Sequence, residues 1–125
     1  MEPIQAVAKA TRPRETPLPR GGFQRWSPAE FLRDVVEKGG FEKEKITMAK
    51  RDVMVTTTEL TQFATMLWSF IGGKTEVGWL KSDEVNWDKA IYMIKDVLRG
   101  MDGFKPLDGG RAQLKFIANV AIATK

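Results

Sequence analysis

The chain has 125 residues, of which 42% are hydrophobic and 29% are charged, so its composition predicts one folded globular domain and excludes a disordered chain. It contains no cysteine and no histidine, which excludes disulfides, thiolate metal sites and any mechanism that uses a histidine base. No apolar run approaches the roughly 20 residues that span a bilayer, so we expect a cytoplasmic protein without a membrane span.

The net charge of +4 is concentrated near the N-terminus. Residues 1–25 hold five basic residues against two acidic ones, which leaves +3 there, and prolines at 13, 17 and 19 disfavour regular structure. We therefore predict an extended, solvated arm over residues 1–25, with Gly21-Gly22 near its end, and a folded domain over residues 26–125. On this interpretation, removal of residues 1–20 leaves the fold intact. Nucleic acid is an alternative partner of the arm, but aromatic residues are not interleaved with the basic ones.

The first strongly marked helix is predicted at residues 28–38. Ser27 is a suitable N-cap, Pro28 suits the first helical position, and Gly39-Gly40 can end the helix. The apolar residues recur at helical spacing at Phe31, Leu32, Val35 and Val36. A period near two then predicts a strand at residues 43–55, with a bulge or bend near residues 49–52.

Two further helices and a second strand complete the predicted order. The helix at 59–71 can be capped by Thr57 or Thr58 and ended by Gly72-Gly73, and the helix at 83–99 can be capped by Ser82. The strand at 111–124 becomes apolar on both faces toward its end, which is typical of a strand inside a covered sheet. The predicted fold is therefore α+β, with an antiparallel hairpin of two strands and three amphipathic helices. Because two strands make a poor sheet alone, we expect an oligomer.

Two groups of side chains are candidate sites, and no catalytic residue is identified. Asp83, Glu84 and Asp88 have the chemistry of a base or a divalent-ion site, although carboxylates in a first helical turn usually complement the helix dipole. A pocket for a small apolar or aromatic molecule is the second candidate, with core packing as the competing interpretation. For Asn119, the one amide side chain of this candidate pocket, a hydrogen bond to a neighbouring loop is the competing interpretation. The tentative lining is Met66, Trp68, Phe70, Trp79, Trp87, Tyr92 and Asn119.

Several segments together resemble one family over about residues 20–125. They are Trp26-Ser27-Pro28, Gly39-Gly40-Phe41, residues 67–70 (LWSF), Gly78-Trp79, residues 83–87 (DEVNW) and residues 114–121 (LKFIANVA). The chain resembles the C-terminal part of class I S-adenosylmethionine-dependent methyltransferases of the fungal secondary-metabolism type. The resemblance implies that 28–38 is the last sheet-packing helix and that 43–55 and 111–124 are strands six and seven of a Rossmann-like fold. It also implies that residues 59–99 are an insertion that contributes to the substrate pocket.

The family binds its cofactor through a glycine-rich loop after strand one and an acidic residue at the end of strand two. Neither feature is found in these 125 residues, because the Gly-Gly pairs at 21, 39, 72 and 109 are better explained as caps, a turn or part of the arm. We therefore expect no cofactor to bind this chain alone. S-adenosylmethionine would bind only if a complementary Rossmann-like chain supplied the site, and a homodimer is the other expected assembly. A cofactor-independent cyclase or isomerase that uses the aromatic pocket is the alternative enzyme class.

Overall fold

The computed structural model describes residues 2–18, 23–72 and 78–125, so Gly21-Gly22 and Gly73 lie outside the described residues. The helices are α1 (Glu2–Thr11), α2 (Phe23–Trp26), α3 (Ala29–Lys38), α4 (Leu60–Ser69), α5 (Lys81–Val85) and α6 (Trp87–Arg99). The strands are β1 (Ile46–Thr57), β2 (Lys105–Pro106) and β3 (Ala112–Ala123). The predicted α+β class is confirmed. None of the helices within the described ranges is long and apolar enough to cross a membrane.

The chain divides into two compact units. The first, which we call the helical unit, consists of Met1–Gly21 and Val55–Leu114. The second, which we call the sheet unit, consists of Gly22–Met54 and Lys115–Lys125. Strands β1 and β3 each contribute residues to both units.

The helical unit has a well-defined apolar core. Helix α6 packs against both α1 and α4, and each of these helices turns one apolar stripe inward. The buried apolar residues of this unit are Ile4, Val7, Ala8, Leu60, Ala64, Trp68, Ile71, Ala90, Ile91, Ile94, Leu98, Ala112 and Leu114. The unit therefore has an apolar core of its own.

The expectation of an extended arm is wrong for residues 2–12, because they belong to this core. Ile4, Val7 and Ala8 of α1 are buried, and Arg12 just beyond the helix is buried as well. Pro3 is compatible with the helix because it lies in the first turn, where the missing N–H has no helical partner to lose. Among the described residues between α1 and α2, residues 12–18 form neither helix nor strand, which agrees with the prolines at 13 and 17. Residues 1–20 are consequently not dispensable for the core.

The sheet is antiparallel, and its strand order is β1-β3-β2. The two long strands agree with the predicted ones, but β2 was not predicted; its Lys105 pairs with Gln113 and its Pro106 with Ala112. Strand β1 starts at Ile46, after a short 3₁₀ turn, and not at residue 43. The Thr57 hydroxyl donates to the Ala112 carbonyl near one end of the β1–β3 pair, and the N–H of Thr124 donates to the Lys45 carbonyl near the other end. The bulge or bend near residues 49–52 stays a prediction.

Helix boundaries differ from the prediction where side chains have other partners. Thr57 does not cap α4, because its hydroxyl donates to the Ala112 carbonyl in the sheet, and the N-cap position is Glu59. The predicted helix at 83–99 is interrupted at Asn86 and starts earlier, after Leu80, so Ser82 is not its N-cap. For α3 the N-cap position is Pro28, one residue after Ser27.

Candidate functional site

The strongest polar interaction of the helical unit is a buried ion pair between Arg12 and Asp83. The guanidinium Nε lies 2.9 Å from Oδ1 and Nη2 lies 2.7 Å from Oδ2, so the pair is bidentate. Both side chains are almost completely buried. Arg12 also donates to the carbonyls of Pro17 and Gly78, and the carboxylate of Asp83 accepts a further bond from the backbone N–H of Leu80. This network ties the end of α1 to the start of α5.

The position of Asp83 decides between the interpretations of the acidic group. Its carboxylate is fully used by Arg12 and Leu80, whereas Glu84 and Asp88 are exposed. In the part of the chain that the structure describes, no group of three or more acidic residues is placed to hold a metal ion. The helix dipole alone does not account for Asp83, because the main partner of its carboxylate is the side chain of Arg12, just beyond the end of α1.

The predicted aromatic lining is divided between the core and the surface. Trp68 is completely buried within the helical core, so core packing is the correct interpretation for this residue. Trp79 and Trp87 are brought together, with ring centroids 5.5 Å apart and planes tilted by 47°. Three other predicted lining residues are largely exposed: Met66, Phe70 and Tyr92. The tryptophan pair is therefore the part of the predicted lining whose contact is observed.

Asn119 belongs to the sheet unit, where its side-chain amide donates to the carbonyl of Ser27, 2.9 Å away. The hydrogen bond to a neighbouring loop that was predicted as one explanation of this residue is present. It anchors the segment just before α3 above one face of β3.

A groove of about 320 Å³ was missed by the sequence interpretation. It lies where α1 ends and the proline-containing loop begins. Three basic residues, one acidic residue and several uncharged residues line the groove: Ala8, Lys9, Arg12, Pro13, Arg14, Glu15, Thr16 and Leu18. The sequence did contain a signal for the helix that forms one side of this groove. Ile4, Val7 and Ala8 recur at helical spacing, which predicts a packed helix that ends shortly after residue 8. None of the predicted aromatic residues lines this groove.

The sheet unit differs from the helical unit because few of its apolar side chains are buried. Among the side chains that the structure describes in this unit, only Ile46 is buried. Ile117 and Ile122 are 63% and 60% exposed and lie on opposite faces of β3, since one is an odd and the other an even position. Val35 of α3 and Val53 of β1 are also exposed. The described part of this unit therefore has several apolar side chains that are only partly covered.

Comparison of the chain with protein-family models, with curated proteins and with solved structures finds no match in any of the three.

Proposed function

We propose that the chain is a methyltransferase-like subunit without an autonomous S-adenosylmethionine site, which acts in small-molecule (secondary) metabolism as part of an oligomer or split enzyme. The observation that carries the proposal is the sheet unit. A strand with apolar residues on both faces normally lies inside a sheet that other layers cover. Here β3 has such residues, and they remain exposed at Ile117 and Ile122. Among the described residues, the unit thus leaves apolar side chains on both faces of β3 only partly covered.

The arrangement of elements also supports this function. An amphipathic helix, α3, precedes a long strand, and a helical segment separates that strand from an antiparallel neighbour. This order corresponds to the family's last helix, strand six, insertion and strand seven. In the resemblance, the insertion supplies part of the substrate pocket, and in this chain it contains the contacting pair Trp79 and Trp87. We assign substrate contacts to this pair first, because flat rings at the surface can contact an apolar or aromatic molecule.

The other two functions receive less support from the geometry. A cofactor-independent cyclase would need an enclosed apolar pocket, whereas Trp68 is used in the core and Phe70 and Tyr92 face solvent. Nucleic-acid binding would need accessible basic side chains near the N-terminus. Arg12 is unsuitable for that role because its charge is buried against Asp83.

Photolabelling with S-adenosylmethionine tests the proposed function. The tagged chain is isolated from the cells that produce it, together with its partners, and the mixture is irradiated in the presence of radiolabelled S-adenosylmethionine. We expect no label on the purified 125-residue chain, and label on a second polypeptide in the isolated assembly. Label on this chain alone would show that its cofactor site is autonomous. An intact assembly that takes up no label on any chain would refute the link to methyl transfer.

A further inference from the structure

We propose that the uncovered edge of β3 is a strand-addition site and that its occupant is β3 of a second copy of this chain. The two strands would pair antiparallel about a two-fold axis at Asn119. This inference takes from the proposed function only the premise that the chain is a subunit of an assembly. It adds the identity of the partner and the surface that binds it.

The direction of the backbone groups along β3 follows from hydrogen bonds at its two ends. The N–H of Thr124 donates to Lys45, just before β1, so even-numbered residues of β3 direct their backbone polar groups toward β1. At the other end the carbonyl of Arg111 accepts from Leu107, next to β2, so odd-numbered residues face the opposite edge. Ile117, Asn119 and Ala121 therefore direct their N–H and C=O groups away from β1.

Among the described strands, β2 is the neighbour of β3 on that edge, and it is short. Strand β2 pairs with Ala112 and Gln113, and no described strand lies beside residues 116–123 on this edge. A row of backbone donors and acceptors at strand spacing is satisfied in full only by another strand. The chemistry of the edge thus selects an extended polypeptide segment as its occupant.

The charges of the sheet edges distinguish this edge from the other two. Residues 116–124 contain neither a charge nor a proline. The outer strand β1 has Lys50, Arg51 and Asp52 at its centre, and β2 consists of two residues, one of them Pro106. Charges, prolines and short length are the features that keep natural sheet edges unpaired. Of the edges formed by the described strands, that of β3 is the one without such protection.

The register of the proposed pair follows from β2 and from side-chain complementarity. A two-fold axis at residue 118 would place the partner's Ala123 against Gln113, which already pairs with Lys105, and an earlier axis would overlap more of β2. An axis at Asn119 places the partner's Ala123, the last residue of β3, opposite Lys115, so the paired strands end before Gln113. It places Phe116 opposite the partner's Ile122 and Ile117 opposite the partner's Ala121, so large residues meet branched or small ones and no like charges face each other. In the closed dimer the free edges are β1 and β2, which carry the protective features, and such two-fold closure is the commonest form of assembly.

Single-cysteine cross-linking tests the site directly, because the natural chain has no cysteine. Cysteine is introduced in turn at positions 117 to 121, and each 125-residue variant is oxidised both after purification and in the lysate of the cells that produce it. In an antiparallel hydrogen-bonded pair the two Cα atoms are about 5.5 Å apart, which is within the range of a disulfide. For a residue one position from the axis, the Cα atoms of the two copies are more than about 7 Å apart, which is too far for a disulfide. We therefore expect disulfide dimers to be most abundant for Asn119→Cys. The matched control is Asp52→Cys at the centre of β1, for which we expect none.

Sedimentation equilibrium provides the second measurement. We expect the natural chain to be a dimer at micromolar concentration. Ile117→Lys should raise the dissociation constant at least tenfold because it adds a charge at the dimer centre. Met54→Lys, which changes an exposed apolar residue on β1, should leave the constant unchanged.

The outcomes separate this inference from the proposed function. A folded monomer at tens of micromolar, or a cross-link that is strongest at Asp52→Cys, would overturn the β3 dimer. Cross-linking of Asn119→Cys to a different polypeptide would also overturn it, since the occupant would not be a second copy. A β3 dimer whose assemblies take up no S-adenosylmethionine label would support this inference while refuting the proposed function.

Discussion

The ion pair between Arg12 and Asp83 allows a quantitative prediction about the helical unit. The substitution Arg12→Met keeps an unbranched apolar side chain but removes the guanidinium. It eliminates both bonds to the carboxylate of Asp83 and the bonds to the carbonyls of Pro17 and Gly78. The buried carboxylate then retains only the backbone N–H of Leu80. An uncompensated charge would remain in a site that is closed to water.

The size of the effect follows from burial. The two side chains are only 1% and 0% exposed, so water cannot replace the lost partner. Removal of one member of such a pair typically costs about 3–5 kcal/mol, a large part of the roughly 5–15 kcal/mol that stabilises a natural domain. Arg12→Lys keeps the charge but not the planar fork, so we expect a smaller loss of about 1–3 kcal/mol. The double variant Arg12→Met/Asp83→Leu leaves no buried charge and should be more stable than Arg12→Met alone.

Urea unfolding, followed by circular dichroism and tryptophan fluorescence, measures these differences as free energies of unfolding. The matched control is Arg99→Met, which removes the exposed pair with Asp96 and should change stability by less than about 1 kcal/mol. Added salt should weaken the exposed pair and leave the buried one nearly unchanged. If Arg12→Met unfolds at the same urea concentration as the natural chain, the pair does not hold α1 in place and our account of this unit is wrong.

Three further predictions concern the core and the cofactor. Deletion of residues 1–12 should unfold the helical unit, because it removes Ile4 and Val7 from the core; an unchanged circular dichroism spectrum would contradict this. Trp68→Ala should cost about 3–5 kcal/mol in urea unfolding. Trp68→Phe should cost clearly less, since the buried indole N–H has no hydrogen-bond partner among the described residues; equal losses would show that this N–H is paired. Calorimetric titration of the isolated chain with S-adenosylmethionine should show no binding, and a dissociation constant in the low micromolar range would refute that expectation.

The elements that could be predicted from the sequence are those with a local signal. The helix at 28–38 combines a proline at its start, apolar residues at helical spacing and a Gly-Gly end, and Gly40 indeed has a positive φ of 100°. The two long strands were recognised from their alternating pattern over about a dozen residues each. Such patterns depend on neighbours within a few positions, so they survive without knowledge of the fold.

The features that were missed depend on distant partners or on competing local signals. The prolines and arginines of residues 12–20 dominated the interpretation of the N-terminus, although Ile4, Val7 and Ala8 already had helical spacing. The partner of Arg12 lies 71 positions away, and nothing in the local sequence indicates it. Strand β2 is two residues long and is defined by its pairing with β3 alone.

The fate of single side chains in the candidate pocket also depends on distant partners. Trp68 and Phe70 are two positions apart and equally apolar, yet one is fully buried and the other is exposed. The hydrophobic pattern of α4 gave the helix, but the choice between a core residue and a pocket residue depends on which neighbouring helix covers each face. For α4 the packing helix is α6, whose position was not predictable from the spacing within α4.

Strand β3 connects these observations to the need for a partner. Its side chains are apolar along most of its length, yet Leu114 is completely buried in the helical unit, whereas Ile117 and Ile122 in the sheet unit are mostly exposed. Burial of an isoleucine side chain contributes about 1.5–3 kcal/mol, so the exposed end of β3 leaves a substantial stabilisation unused. The helical unit supplies cover for the first residues of the strand, and the sheet unit has no such cover of its own among the described residues. Cover for these side chains would come from atoms outside the described residues, and the proposed second β3 would supply both backbone partners and neighbouring apolar side chains.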